Sequence, residues 1–153
     1  MEPKLLVRKI ENGTVIDHIP VGKGFFILKI LEIEPTAKVV VASNVDSKKY
    51  GNKDVIKIEN RYLTTKETDI ISAIAPNATI NTIKNSQVNK KQSLKFPESI
   101  EEVLKCPNLS CVTNLANEPI KTKFINMKNY NAVQCSYCDS LIRYDELSSN
   151  LKS

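Results

Sequence analysis

Four cysteines confined to the last third of the chain, Cys106, Cys111, Cys135 and Cys138, constrain its fold more than any other feature. Their spacing is C-x4-C, then 23 residues, then C-x2-C. Two short-spaced pairs joined by a loop can bring four thiolates to tetrahedral geometry, as a structural Zn²⁺ requires. Sulfur at every position leaves no opening for water, so such a centre is closed and structural, not catalytic. Pro107-Asn108 and Ser136-Tyr137 supply turn formers at the two knuckles. The segment has few large apolar side chains, and small units of this kind need a metal or disulfides to stay folded. Two disulfides are the alternative, disfavoured in a cytoplasmic setting. A thioredoxin-like C-x-x-C would leave the first pair unexplained. The expectation is one structural Zn²⁺ per chain.

The residues before this segment read as strands and helices. "KLLVRKI" and "TVIDHI" are β-branched stretches separated by Asn12-Gly13, a turn signal. From Gly22 to Ile33 the apolar positions leave little polar face, which predicts a helix buried on most sides and ended by Pro35. "KVVVASNV" reads as a strand. So does "KDVIKIENRYL", whose period of two sends Ile56 and Ile58 to one face and Lys57 and Glu59 to the other. Thr64 and Glu67 form a capping box opening a helix with Ile70, Ile71 and Ile74 on its inner face, and Pro76 stops it. "ATINTIKN" and "QVNKKQSLKF" complete the strands.

The order predicts an α+β fold: a ferredoxin-like sandwich of antiparallel sheet and two helices, followed by a small β-rich Cys₄ zinc domain. Lysines on the other sheet face would suit a charged ligand. The polar stretch ending at Phe96-Pro97 marks the boundary between domains 1–96 and 97–153. Just after it, Glu98, Ser99, Glu101 and Glu102 put negative charge at an expected helix start, with Ile100, Val103 and Leu104 as its apolar side.

Net charge is +5, from 22 basic and 17 acidic side chains, with the lysines spread along the chain. This favours an anionic partner only weakly. No apolar run approaches the roughly 20 residues needed to cross a bilayer. The start of the chain lacks a secretory signal pattern, and the expected location is cytoplasmic. The single histidine, His18, follows Asp17. There is no Gly-x-Ser-x-Gly, and "VGKG" has the wrong spacing for a phosphate loop. Catalysis at His18 would need a nucleophile that the sequence does not offer.

"GTVIDHIP", "KDVIKIEN", "APNATIN" and "CPNLSC…CSYC", in that order, resemble the regulatory chain of aspartate carbamoyltransferase over roughly residues 7 to 145. The resemblance implies a non-catalytic subunit of pyrimidine biosynthesis. Its N-terminal domain would bind CTP, ATP and UTP as allosteric effectors, and its zinc domain would dock on the catalytic chain. Regulatory homodimers would bridge catalytic trimers in a dodecamer of six catalytic and six regulatory chains, with no nucleic acid or membrane involved. Carried over by position, the effector pocket comprises Val7, Arg8, Lys9, Ile10, Asp17, His18, Lys53, Lys57, Asn81, Ile83, Ser86, Val88 and Lys91. Asp17 suits ribose hydroxyls, His18, Lys53 and Lys91 suit phosphates, and main-chain groups near Ile10 and Ser86 suit the base edge. Asn108 and Asp139 match positions that contact the catalytic chain.

The sequence departs from the family at several of these places. Arg8 and Lys9 stand where an acidic and a small residue are usual, Ser86 replaces a larger aromatic, and Ser110 replaces an asparagine. Base selectivity is therefore open. The competing reading is a zinc-ribbon nucleic-acid-binding protein. The tail's aromatics are not interleaved with arginines, which counts against it.

Overall fold

Isoleucines at alternating positions organise the first of two units, Met1–Lys95 and Phe96–Ser153, into which this computed structural model divides. The structure describes residues 10–48, 51–117 and 119–152. In chain order the first unit contains β1 (Gly13–Ile19), α1 (Gly24–Ile30), β2 (Val39–Ser47), β3 (Gly51–Glu59), α2 (Thr65–Ile74), β4 (Thr79–Lys84) and β5 (Gln87–Ser93). The sheet order is β2-β3-β1-β4-β5, and every neighbouring pair is antiparallel. The first four strands have the ferredoxin-like order, and β5 adds a fifth at the edge.

Register stacks the apolar side chains. Ile16 lies opposite Ile56 on β3 and Ile80 on β4, and Thr14 lies opposite Ile58. All are buried, together with Ile27 and Leu31 from the α1 segment and Ile71 and Ile74 from α2. Each buried isoleucine stabilises the fold by about 2 kcal/mol. Gly13 is required where β1 enters: its φ is +142°, and a Cβ there would lie 2.0 Å from the Ile58 carbonyl oxygen.

The capping box on α2 is present in full. The Glu67 amide donates to Thr64 Oγ1 at 3.2 Å, and the Thr64 amide donates to Glu67 Oε1 at 3.0 Å. The helix expected over Gly22–Ile33 is shorter, seven residues, and is not buried on most sides. Only Gly24, Ile27 and the following Leu31 are buried, a stripe with helical spacing, while Phe25 is 61% exposed. Glu32, in the left-handed region at φ +48°, ends the helix before Ile33 and Pro35 are reached. The strand expected over "KLLVRKI" lies, apart from Ile10, outside the described residues.

The second unit contains β6 (Ser99–Glu101), β7 (Lys123–Met127), β8 (Ala132–Cys135) and β9 (Leu141–Arg143) in an antiparallel sheet of that order. Its core is Ile100, Leu104, Phe124, Val133, Ile142 and Leu147, all buried. The helix expected after Pro97 is instead strand β6. Ser99, Ile100 and Glu101 run exposed, buried, exposed, the period of a strand. Ile100 lies opposite Phe124, and Glu101 lies opposite Lys123 as an opposite-charge cross-strand pair. Glu102 at φ +60° ends the strand, and helical geometry could not pass through it. Among the described residues no helix is long and apolar enough to cross a membrane.

Candidate functional site

Among the described residues two places gather chemistry, and the first is the cysteine cluster. Cys106 and Cys111 flank one knuckle, while Cys135 ends β8 and Cys138 lies in the turn before β9. Cys106 and Cys138 sulfurs are 3.5 Å apart, and Cys111 and Cys135 sulfurs are 3.8 Å apart. All four lie within 4.8 Å of one another and none is in a disulfide. The edge of a tetrahedron built on Zn–S bonds of about 2.3 Å is about 3.8 Å, so the set fits a tetrahedral metal ion of that size. Four sulfurs and no oxygen or nitrogen ligand make a closed, soft donor set.

Electrostatics at the cluster are uneven. Burial pushes the Cys106 thiol up, and the neighbouring thiols add to this against the Asn108 amide. Burial likewise raises Cys135. At Cys138 burial opposes ionisation, but hydrogen bonds from Ser140 and Asn108 prevail and bring it down to about 6. A metal cation would deprotonate the whole set.

The knuckles are braced by polar side chains that spacing alone did not single out. The Asn114 side-chain amide donates to the Cys106 and Asn108 carbonyls at 2.9 and 2.7 Å. Thr113 Oγ1 donates to Cys111 Sγ at 3.2 Å. Such outer partners fix the direction of the sulfurs. Asn108 and Asp139, expected to contact another chain, also build these turns. Asn108 Oδ1 accepts the Ser110 amide at 3.0 Å, and Asp139, at φ +63°, donates its amide to the Cys135 carbonyl at 3.0 Å.

The second place is the sheet face opposite the isoleucine layer. Register aligns one row across all five strands: Val40, Lys57, Val15, Asn81 and Lys91. Asp17 follows two residues after Val15 on β1, and Lys53 four residues before Lys57 on β3, so both share this face. Lys53 Nζ lies 2.8 Å from Asp17 Oδ1. Burial opposes charge on Asp17, but the Lys53 hydrogen bond and charge and the His18 amide hold its carboxyl below the usual range.

His18 sits where β1 shifts register, between Ile16 and Ile19, in the left-handed region at φ +57°. A histidine there is uncommon and is held by its surroundings. Its amide donates to Asp17 Oδ1 at 2.6 Å, and its Nδ1 lies 3.2 Å from the buried Thr79 hydroxyl. Asn85 and Ser86, both at positive φ, form the hairpin turn between β4 and β5. The Ser86 amide donates to the Glu11 carbonyl at 2.8 Å, which ties this turn to the segment before β1. Ile10 is buried, Ile83 is buried, and Val88 is 59% exposed on the edge strand. Val7, Arg8 and Lys9 lie outside the described residues.

Sequence reasoning missed Thr79 and Asp54. Asp54 was legible in principle: on β3 it falls on the same face as Ile56 and Ile58, where a carboxylate is out of place.

Comparison with known proteins bears on both places. Residues 5–95 match the family model described as aspartate carbamoyltransferase regulatory chain, allosteric domain, and residues 98–148 match its metal binding domain. The regulatory chain of Staphylothermus marinus is 42% identical over 154 residues, covering 98% of this chain and 93% of that one. That of Pyrobaculum arsenaticum is 46% identical over 150 residues, covering 96% and 97%. That of Methanoregula boonei is 46% identical over 144 residues, covering 92% and 87%.

Proposed function

The chain belongs to the family of aspartate carbamoyltransferase regulatory chains, and on that premise we propose that it binds nucleoside triphosphates on the outer sheet face of its first unit. CTP, ATP and UTP are the effectors, and aspartate carbamoyltransferase activity in cytoplasmic pyrimidine biosynthesis is what they regulate. The second unit holds one structural Zn²⁺ through Cys106, Cys111, Cys135 and Cys138 and docks on the catalytic chain, with Asn108 and Asp139 at that contact. Regulatory homodimers then link catalytic trimers into an assembly of six and six.

One observation carries the effector reading: register gathers Lys53, Lys57, Lys91, Asn81 and Asp17 on one sheet face. Three ammonium groups meet the charge of a triphosphate, and a carboxylate kept ionised accepts from ribose hydroxyls. Asn81 offers both donor and acceptor to a base. His18, raised from the same bulge, adds a fourth nitrogen group to the phosphates. For the metal, the four sulfurs at tetrahedral-edge distances support zinc over a hard cation, which would take oxygen ligands.

Binding alone regulates nothing. An effector shifts an equilibrium only by its difference in affinity for the two quaternary states. The zinc unit passes that bias to the catalytic chain because it is the part that touches it.

The test is reconstitution of the zinc-loaded chain with the catalytic chain from the same organism. The two are expected to co-elute as one complex whose aspartate saturation curve moves with CTP or ATP. Separate elution, or a complex whose curve neither nucleotide moves, contradicts the reading.

A further inference from the structure

Asp54 is a fully buried carboxylate that receives four hydrogen bonds. Oδ2 accepts the Gly22 and Gly24 amides at 3.0 Å each, from the loop that enters α1. Oδ1 accepts the Ser43 hydroxyl at 3.0 Å and the Asn44 amide at 2.9 Å. The "VGKG" stretch, unsuited to an external phosphate, thus turns two of its amides onto an anion of the protein's own.

The place of this residue in the sheet gives it a second consequence. β2 shifts register between Ala42 and Val45, with Asn44 at φ +58°. β1 shifts register between Ile16 and Ile19, with His18 at φ +57°. β3 runs between these two interrupted strands, and it meets both interruptions at Lys53 and Asp54. Lys53 is the register partner of Val45, and Asp54 that of Ile19. A bulge leaves backbone groups without ladder partners. Asp54 takes the Asn44 amide on the β2 side, while Lys53, emerging on the opposite face, takes Asp17 on the β1 side.

We propose that Asp54 is a positioning residue for the outer-face pocket: by tying the β2 bulge and the Gly22–Gly24 loop to β3, it holds Lys53 against Asp17. The pocket as such rests on the effector reading above. Charge-assisted hydrogen bonds are the stronger kind, and four converging on one carboxylate leave it a single orientation. Lys53 is covalently next to that fixed point. Its reach to Asp17 is set by where the β3 backbone is pinned. Asp17 in turn receives the His18 amide, so the orientation of the histidine follows from the same anchor.

The test uses the full zinc-loaded chain and reads the Asp17 carboxyl directly, by its ¹³C titration, in the parent, Asp54→Asn, Gly24→Ala and Lys53→Ala proteins. Asp54→Asn turns an amide N–H toward donors and could prevent folding. Gly24→Ala is milder and strikes the same group, because its Cβ would lie 2.9 Å from Asp54 Oδ2. The Asp17 midpoint is expected to rise in Lys53→Ala, and to rise in Asp54→Asn and Gly24→Ala. Neither of the latter changes should raise it further once Lys53 is alanine, since residues acting through one another are not additive. CTP binding, measured by calorimetry, should weaken about tenfold in the anchor variants. Folded anchor variants with an unchanged Asp17 midpoint would overturn the proposal, as would a rise that persists in the Lys53→Ala background. If the parent chain binds neither CTP nor ATP, the effector reading fails, and the Asp17 titration still decides the role of Asp54.

Discussion

In the first unit, isoleucines from three strands meet Ile27, Leu31, Ile71 and Ile74 and close a mainly apolar core that also takes in Thr14 and Asp54. In the second, a smaller set around Phe124, Val133 and Ile142 is supplemented by four cysteines drawn to within 4.8 Å. The difference follows from size. A chain segment as short as the second unit buries too little surface to offset its conformational entropy, and a metal held by the four cysteines would supply what the core does not. The first unit contains no cysteine, and its outer sheet face carries Lys53, Lys57, Asn81 and Lys91 beside Val15 and Val40. Its outer row of Lys57, Asn81 and Lys91 stands on the face away from the isoleucine layer, where the proposed effector would bind.

The comparison can be broken most forcefully at the metal. Cys135→Ser, or chelation of the parent protein, is expected to unfold the second unit while leaving the first folded, since structural zinc contributes about 10 kcal/mol or more to small domains. Amide NMR spectra resolve the outcome unit by unit; retention of second-unit signals after full metal removal would contradict it. A smaller effect is expected in the other direction. Ile56→Ala should destabilise the first unit by about 2–5 kcal/mol, lowering its calorimetric transition and leaving the second unit's transition in place. A joint fall of both transitions would mean that the units do not stand on separate cores.

Acid sharpens the contrast more gently. Burial opposes ionisation of Asp54, but the Asn44, Gly24 and Gly22 amides and the Ser43 hydroxyl hold its pKa below the ordinary 3.8. Asp17 is lowered as well. A carboxylate with a depressed folded-state pKa contributes stability that is present above its unfolded value and lost as pH falls through the folded one. The first unit should therefore lose stability below about pH 4, and the anchor variant Asp54→Asn, if folded, should show a shallower acid limb in denaturant titrations. An unchanged limb would remove Asp54 from that account.

Much of this was legible in the sequence because its causes are local. The C-x4-C and C-x2-C knuckles, the Thr64–Glu67 capping box and the alternation of Ile56 and Ile58 each show within a few residues. Strand β6 was not legible as a strand. Its three residues look like an acidic helix start, and only pairing with β7, more than twenty residues away, decides otherwise. The early end of α1 depends on the left-handed backbone at Glu32, which no propensity announces. The proposed pocket was legible as a set of residue types, whereas the placing of those residues on one face depends on register. Asn81 and Lys91 meet across the β4–β5 ladder, and the Lys53–Asp17 pair depends on bulges in two strands. A carboxylate such as Asp54, on the apolar face of β3, looks like an error until its four donors are seen.

The most direct measurement is a calorimetric titration of the zinc-loaded chain with CTP and with ATP, run beside Lys57→Ala. Saturable binding is expected, weakened about tenfold in the variant through loss of one charge-assisted contact to phosphate. Absence of saturable binding by the folded parent, or a variant that binds as tightly as the parent, would contradict the assignment of the outer sheet face as an effector site.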